Sequence, residues 1–417
     1  MKVKIWKILG LLLVVVFMLS LAGSVHAASL TTTITVGSSP IGVAYDPVMH
    51  EIFVANYQGG DIQVFSDSTY QQVADITTLT QYAGAPYNLA YDSAKGEIWV
   101  ADTTGAYAIS DVTNQVVANV TTNAPASWGT LTQVACDPKT GEVFVGFTDF
   151  TGASTPYIQV ISDSSNTIIA NITQAVTEIV DDSAQSEIFA PQYLDSSGSI
   201  SGDVYVISAK TNAVTNTIPI GGIPGVEVYD SVKGEIFVAN SVWNSSAQNN
   251  YSHVIEVISD GNNKISATIN LPISISAGPM AYNPDKGEIY INEGTSVAII
   301  SDKTNSVVGT VNTNGNGAAS GGIAYDSGTN AVYAVNNGGV PGSLAVVSDP
   351  SSGTSTSSPT STVSSSPNTS ASIGTSSTPK VPEFSNAALI SVAAAIVALT
   401  LCTVALTTRA RKLFKIK

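Results

Sequence analysis

Gly42-Val43-Ala44-Tyr45-Asp46, followed by Glu51-Ile52-Phe53-Val54, is the stretch whose reading decides the fold. An apolar run ends in an acid, a short gap follows, and a second run is β-branched and aromatic, as strands prefer. The pair recurs. Asn88-Leu89-Ala90-Tyr91-Asp92 precedes Glu97-Ile98-Trp99-Val100, and Gln133-Val134-Ala135-Cys136-Asp137 precedes Glu142-Val143-Phe144-Val145. Glu178-Ile179-Val180-Asp181-Asp182, Val226-Glu227-Val228-Tyr229-Asp230, Pro279-Met280-Ala281-Tyr282-Asn283 and Gly322-Ile323-Ala324-Tyr325-Asp326 continue the series. The anchor Asp or Asn stands at 46, 92, 137, 182, 230, 283 and 326, in steps of 46, 45, 45, 48, 53 and 43 residues.

Each unit has room for four strands. A third ends in Ser-Asp in six of the seven units, as in Ile62 to Asp67 or Val297 to Asp302, and a fourth follows, such as Val116 to Val120. Seven four-stranded units of this length predict an all-β fold, a seven-bladed β-propeller. The residue before the second strand is Gly96, Gly141, Gly234 or Gly287 in four units and His50, Ser186 or Asn330 in the others. A left-handed turn is expected there, with the anchor acid capping it by accepting backbone amides two residues on. The seventh unit stops at Val347-Ser348-Asp349 without a fourth strand, while Thr31 to Val36 is a strand without a unit. That strand is expected to complete the last blade and remove an open edge.

The flanks differ in kind. Residues 1–28 read as a secretory signal, with Lys2, Lys4 and Lys7 ahead of the apolar run Ile8 to Leu19 and small residues near Val25-His26-Ala27. The propeller occupies 29–350. Residues 351–380 are made almost wholly of Ser, Thr, Pro, Gly and Asn and read as a glycosylated stalk. Residues 381–417 contain an uncharged run, 387–408, long enough to span a bilayer, then the basic tail Arg409, Arg411, Lys412, Lys415 and Lys417. Basic residues stay cytoplasmic, so the propeller is expected at the extracellular face of the cell membrane. Residues 29–350 hold 30 acids against seven lysines, which disfavours nucleic-acid partners and favours cations or basic partners. The two cysteines, Cys136 and Cys402, lie in different segments, and no internal disulfide is expected.

The unit built on Pro40-Ile41-Gly42-Val43-Ala44-Tyr45-Asp46, Phe53-Val54-Ala55-Asn56 and Ser301-Asp302-Lys303-Thr304-Asn305-Ser306-Val307-Val308 resembles the YVTN β-propeller repeat across residues 30–350. The resemblance implies a surface-layer or adhesion protein of archaeal or bacterial type. Pro382-Glu383-Phe384, between stalk and hydrophobic run, resembles a PEF-type sorting signal read by an archaeosortase. That similarity implies cleavage near the motif and a lipid in place of the hydrophobic segment as the membrane anchor.

Residue chemistry offers little for catalysis. His26 leaves with the signal, and His50 and His253 are too few for a His-rich metal site or a convincing Ser-His-Asp triad. No cofactor is expected. Asp181-Asp182 and the stretch Asp195 to Asp203 read as solvated turn acids rather than calcium ligands. The connections between second and third strands lengthen in units three, four and five: Gly146 to Pro156, Pro191 to Gly202 and Asn240 to Ser252. They carry Phe147, Phe150, Tyr157, Tyr193, Trp243 and Tyr251, with Trp128 expected on the same face. Aromatics on polar loops suit a surface glycan or protein partner. Asn119, Asn171, Asn244, Asn250 and Asn368 head Asn-x-Ser/Thr sequons and are candidate glycosylation sites. The function expected is a non-enzymatic cell-surface propeller for adhesion, envelope structure or binding. The alternative is an extracytoplasmic enzyme or ligand sensor using the central channel, where Glu178 and Glu227 interrupt an apolar series.

Overall fold

A computed structural model describes residues 28–348, apart from 78–84, 103–104, 122–129, 150–156, 175, 195–199, 246–250, 273, 277 and 316–319. The chain divides into two units, Met1–Gly353 and Thr354–Lys417, and the described residues all lie in the first. Residues 1–27 of the expected signal segment 1–28, the stalk, the 387–408 run, Pro382, Glu383, Phe384 and Asn368 lie outside the described residues. Among the described residues no helix is long and apolar enough to cross a membrane.

The described residues form seven four-stranded antiparallel sheets, each one blade of a β-propeller. The innermost strands are Pro40–Asp46, Pro86–Asp92, Thr130–Asp137, Val180–Asp182, Ile223–Asp230, Met280–Asn283 and Ser320–Asp326, in blades one to seven. Each touches the next around a closed ring. In blade seven the order from the axis outward is Ser320–Asp326, Ala331–Asn336, Gly342–Ser348 and finally the N-terminal strand Ser29–Val36.

Burial follows from face-to-face packing of the blades. A second strand is covered on both sides, so Ile52, Phe53, Val54 and Ala55 are all fully buried. An outermost strand meets its neighbours on one side only, so Gln115–Thr121 alternates between exposed and covered positions. Among the described residues the apolar core forms seven clusters, one at each blade interface. The aromatic of each second strand, from Phe53 and Trp99 to Tyr333, is buried in one of them. A propeller core is thus a ring of slabs with a channel on its axis.

The turns take the form the repeat implies. The residue before the second strand has positive φ in every blade: His50 at 59°, Ser186 at 56°, Asn330 at 56°, and the four glycines between 65° and 72°. The anchor residue, Asp in six blades and Asn283 in blade six, caps each turn. Asp46 accepts from the Val48 amide at 2.7 Å, Asp137 from Lys139 at 2.8 Å, and Asp326 from Gly328 at 2.7 Å.

These acids also face the next blade, where a tyrosine one residue before the anchor reaches back to them. Tyr45 donates to Asp67 of its own blade at 2.9 Å and also hydrogen-bonds Asp326 of blade seven. Tyr229 does the same between Asp260 and Asp182, and Tyr282 between Asp302 and Asp230. Blade interfaces therefore contain buried carboxylates bridged by tyrosine hydroxyls. Asp181 and Asp182 are corrected here. Asp182 is fully buried as a cap, and burial pushes Asp181 up to about 7, so neither is a solvated turn acid.

Candidate functional site

The expected aromatic face resolves into parts that differ. The described parts of the long connections of blades three, four and five mostly continue the strands. Glu142–Asp149 pairs with Tyr157–Ser162, Glu187–Leu194 with Ile200–Ser208, and Glu235–Trp243 with Tyr251–Ser259. Phe147 is a correction. It lies opposite Tyr157, with ring centroids 5.3 Å apart, but is only 1% exposed and packs in the core between blades two and three. Its place in the strand turns it inward onto Trp99 and Ala106, where it cannot meet a partner. Tyr157 is half-buried against it.

Trp243 behaves in the opposite way. It pairs with Tyr251 near the end of the blade-five hairpin, the rings edge to face at 5.4 Å and 90°, and it is 63% exposed. Beside it the Asn244 amide nitrogen donates to Ser252 Oγ at 2.7 Å, so the atom a glycan would join is already engaged. Tyr193 falls in the strand Glu187–Leu194, but its side chain lies outside the described set, as do Trp128, Phe150 and Asn250. Asn119 and Asn171 occupy equivalent exposed positions on the outermost strands of blades two and three, opposite Tyr107 and Gln159.

The histidines are separated. His50 Nδ1 lies 3.0 Å from Asp67 Oδ2 beside its turn, and His253 Nδ1 lies 3.0 Å from Ser241 Oγ on the blade-five hairpin. No carboxylate orients His253 among the described residues, so the pair lacks the third member of a hydrolytic triad. No group of three or more His, Cys, Asp or Glu suited to a metal ion occurs among the described residues.

The axial channel is the other concave feature, a cavity of about 520 Å³, within the usual range for small-molecule sites. Its wall is set by the first two anchor positions of the inner strands. At the first position blades two, three and four place Asn88, Gln133 and Glu178. Blades one, five, six and seven place Gly42, Val226, Pro279 and Gly322 at the same point. One half of the wall is therefore polar and the other apolar.

The polar half is joined. Asn88 Nδ2 donates to Gln133 Oε1 at 2.5 Å and to Glu178 Oε1 at 3.4 Å, and Asn88 Oδ1 accepts from the Leu89 amide at 2.8 Å. Glu178 is enclosed by protein yet reached from the channel. Burial pushes its carboxyl up to about 8, against the opposing pull of the Ile179 amide and Asn88. The carboxyl of Glu227 in blade five is also held well above the usual carboxylate range, first by burial and then by the Glu178 charge. Sequence reading singled out both glutamates as exceptions but missed Asn88 and Gln133. The signal was present: aligning the first anchor residue across the units puts three polar side chains in consecutive blades.

No protein-family model and no curated protein matches the chain. Its shape is widely shared: 1405 solved chains match it, so the architecture selects no single activity. One is hydrazine synthase from Kuenenia stuttgartiensis, at 14% identity and a TM-score of 0.57, covering 73% of this chain and 94% of that one. At that identity the likeness establishes the fold alone.

Proposed function

We propose that this chain is a non-enzymatic propeller of the cell surface, of the YVTN type, that binds glycan through the aromatic tip of blade five. The observation that carries the reading is Trp243, 63% exposed with Tyr251 set at right angles to it. Water contact at a large indole is costly in isolation. An exposed aromatic on a rigid hairpin, flanked by Asn244 and Ser252, suits a sugar. The apolar face of a pyranose stacks on the ring while its hydroxyls bond to amide and hydroxyl side chains. The location rests on the signal-like segment 1–28, the Ser/Thr/Pro-rich stretch 351–380 and the PEF-like motif at Pro382, Glu383 and Phe384. In this reading the motif directs replacement of the hydrophobic segment by a lipid.

A glycan array probed with the full-length protein tests the reading. Binding to a restricted set of sugars is expected, weakened about tenfold by Trp243→Ala with no change in melting temperature. Equal binding by both proteins overturns it.

A further inference from the structure

The second anchor position of the inner strands is aliphatic in six blades: Val43, Leu89, Val134, Ile179, Met280 and Ile323. Blade five alone puts a carboxylate there. Glu227 pairs with Val238, just past the irregularity that separates it in register from Pro224. It lines the channel, is 6% exposed, and neither carboxylate oxygen has a hydrogen-bond partner of ordinary geometry. An acid at an aliphatic position, met by no more than the Val180 amide, is costly whether it is ionised or neutral. Six sister blades show that the fold does not need it.

The surroundings specify what would satisfy it. Glu178 of the adjoining blade supplies a second carboxylate, close enough for its charge to oppose ionisation of Glu227. Among the described residues no Lys, Arg or His lines the channel. Blades six, seven and one, which continue the ring beyond blade five, contribute Met280, Ile323, Ile41 and Val43. A calcium ion asks for about six to eight oxygens, and among the described residues no group of three or more His, Cys, Asp or Glu suited to a metal ion occurs. We propose that the axial channel binds a small organic cation with an apolar body, an alkylammonium or diamine. Its ammonium sits between Glu178 and Glu227, and its carbon chain lies on the aliphatic wall. The ammonium adds charged donors to two carboxylates that Asn88 and the Ile179 and Val180 amides meet only in part, and the chain displaces water from apolar surface. This site is separate from the aromatic tip of blade five and stands whether or not that tip binds sugar.

Titration calorimetry of the full-length protein with n-butylamine, 1,4-diaminobutane, n-butanol and calcium chloride tests it. The amines are expected to bind and butanol is not, and Glu178→Gln and Glu227→Gln each weaken amine binding about tenfold or more. Glu227→Leu restores the residue type of the other blades. It is expected to melt at or above the wild-type temperature and to bind no amine. Butanol binding as tightly as butylamine, calcium binding that the same Gln variants abolish, or no heat with either amine overturns the proposal. So does a lower melting temperature for Glu227→Leu, which would make the carboxylate a part of the scaffold.

Discussion

Ile34 lies opposite Leu344 in blade seven, so the first strand of the propeller is hydrogen-bonded to its last. Leu344 is fully buried, and Ile34 and Val36 belong to the same cluster as Tyr45 and Ile52 of blade one. The N-terminal strand therefore closes the ring in two ways. It completes the sheet of blade seven, and it fills the seam where the two ends of the repeat meet. Deleting residues 29–37 exposes the edge strand Gly342–Ser348 and removes two core side chains. A large fall in melting temperature, with aggregation on heating, is expected in a thermal scan. An unchanged curve would mean that the other three strands suffice.

Phe147 and Trp243 sit on equivalent hairpins of blades three and five but lead opposite lives. Phe147 packs against Trp99, Val145 and Tyr157. Phe147→Ala is expected to cost about 3–5 kcal/mol by leaving a cavity between blades. Trp243→Ala removes a mostly exposed ring and is expected to change stability by about 0.5 kcal/mol or less. Urea unfolding of the two variants checks the contrast. Similar losses would mean that the blade-five tip is core as well.

The contrast also marks what the sequence made legible. The anchors revealed seven blades because each unit must bury the same faces against its neighbours, and the repetition exposes the constraint. The caps were readable for the same reason, since Asp46 and its counterparts answer one local need. Phe147 was not, because distinguishing a loop aromatic from a strand aromatic depends on how far a hairpin extends. Polar residues such as Thr148 and Asp149 hide that extension. Asn88 and Gln133 became meaningful only as neighbours around an axis, a relationship that no single unit contains. Glu227 is the reverse case: its meaning came from comparing units, and the structure added that its buried oxygens have no side-chain donor.

Tyr45 joins blade one to blade seven through polar atoms. Its hydroxyl meets Asp67 at 2.9 Å and also Asp326, which Tyr333 engages at 2.7 Å. Tyr45→Phe keeps the ring in place but leaves buried carboxylate oxygens with one donor fewer. A loss of about 1–3 kcal/mol is expected, with little change in secondary structure by circular dichroism. A neutral result would show that His50, 3.0 Å from Asp67, replaces the lost donor.

Acid is expected to stabilise this protein. Among the described residues every displaced carboxyl group is displaced upward, and burial is the first cause each time, as at Asp92, Asp111, Asp302 and Glu178. A carboxyl that holds its proton more tightly when folded makes the folded state bind more protons than the unfolded one. Stability then declines as pH rises, by linkage. The contribution is complete below the unfolded values near about 4. It is lost as pH climbs through the folded values, which reach about 7 at Asp181 and about 8 at Glu178. Self-repulsion of a chain with formal net charge −15 acts in the same direction. The melting temperature at pH 5 should exceed that at pH 8 by several degrees. Combining Glu178→Gln, Asp181→Asn and Glu227→Gln should flatten the upper part of that slope, because three strongly raised carboxyls are gone. A higher melting temperature at pH 8 would show that these carboxyls stay ionised in the fold and that the tyrosine and amide donors around them outweigh burial.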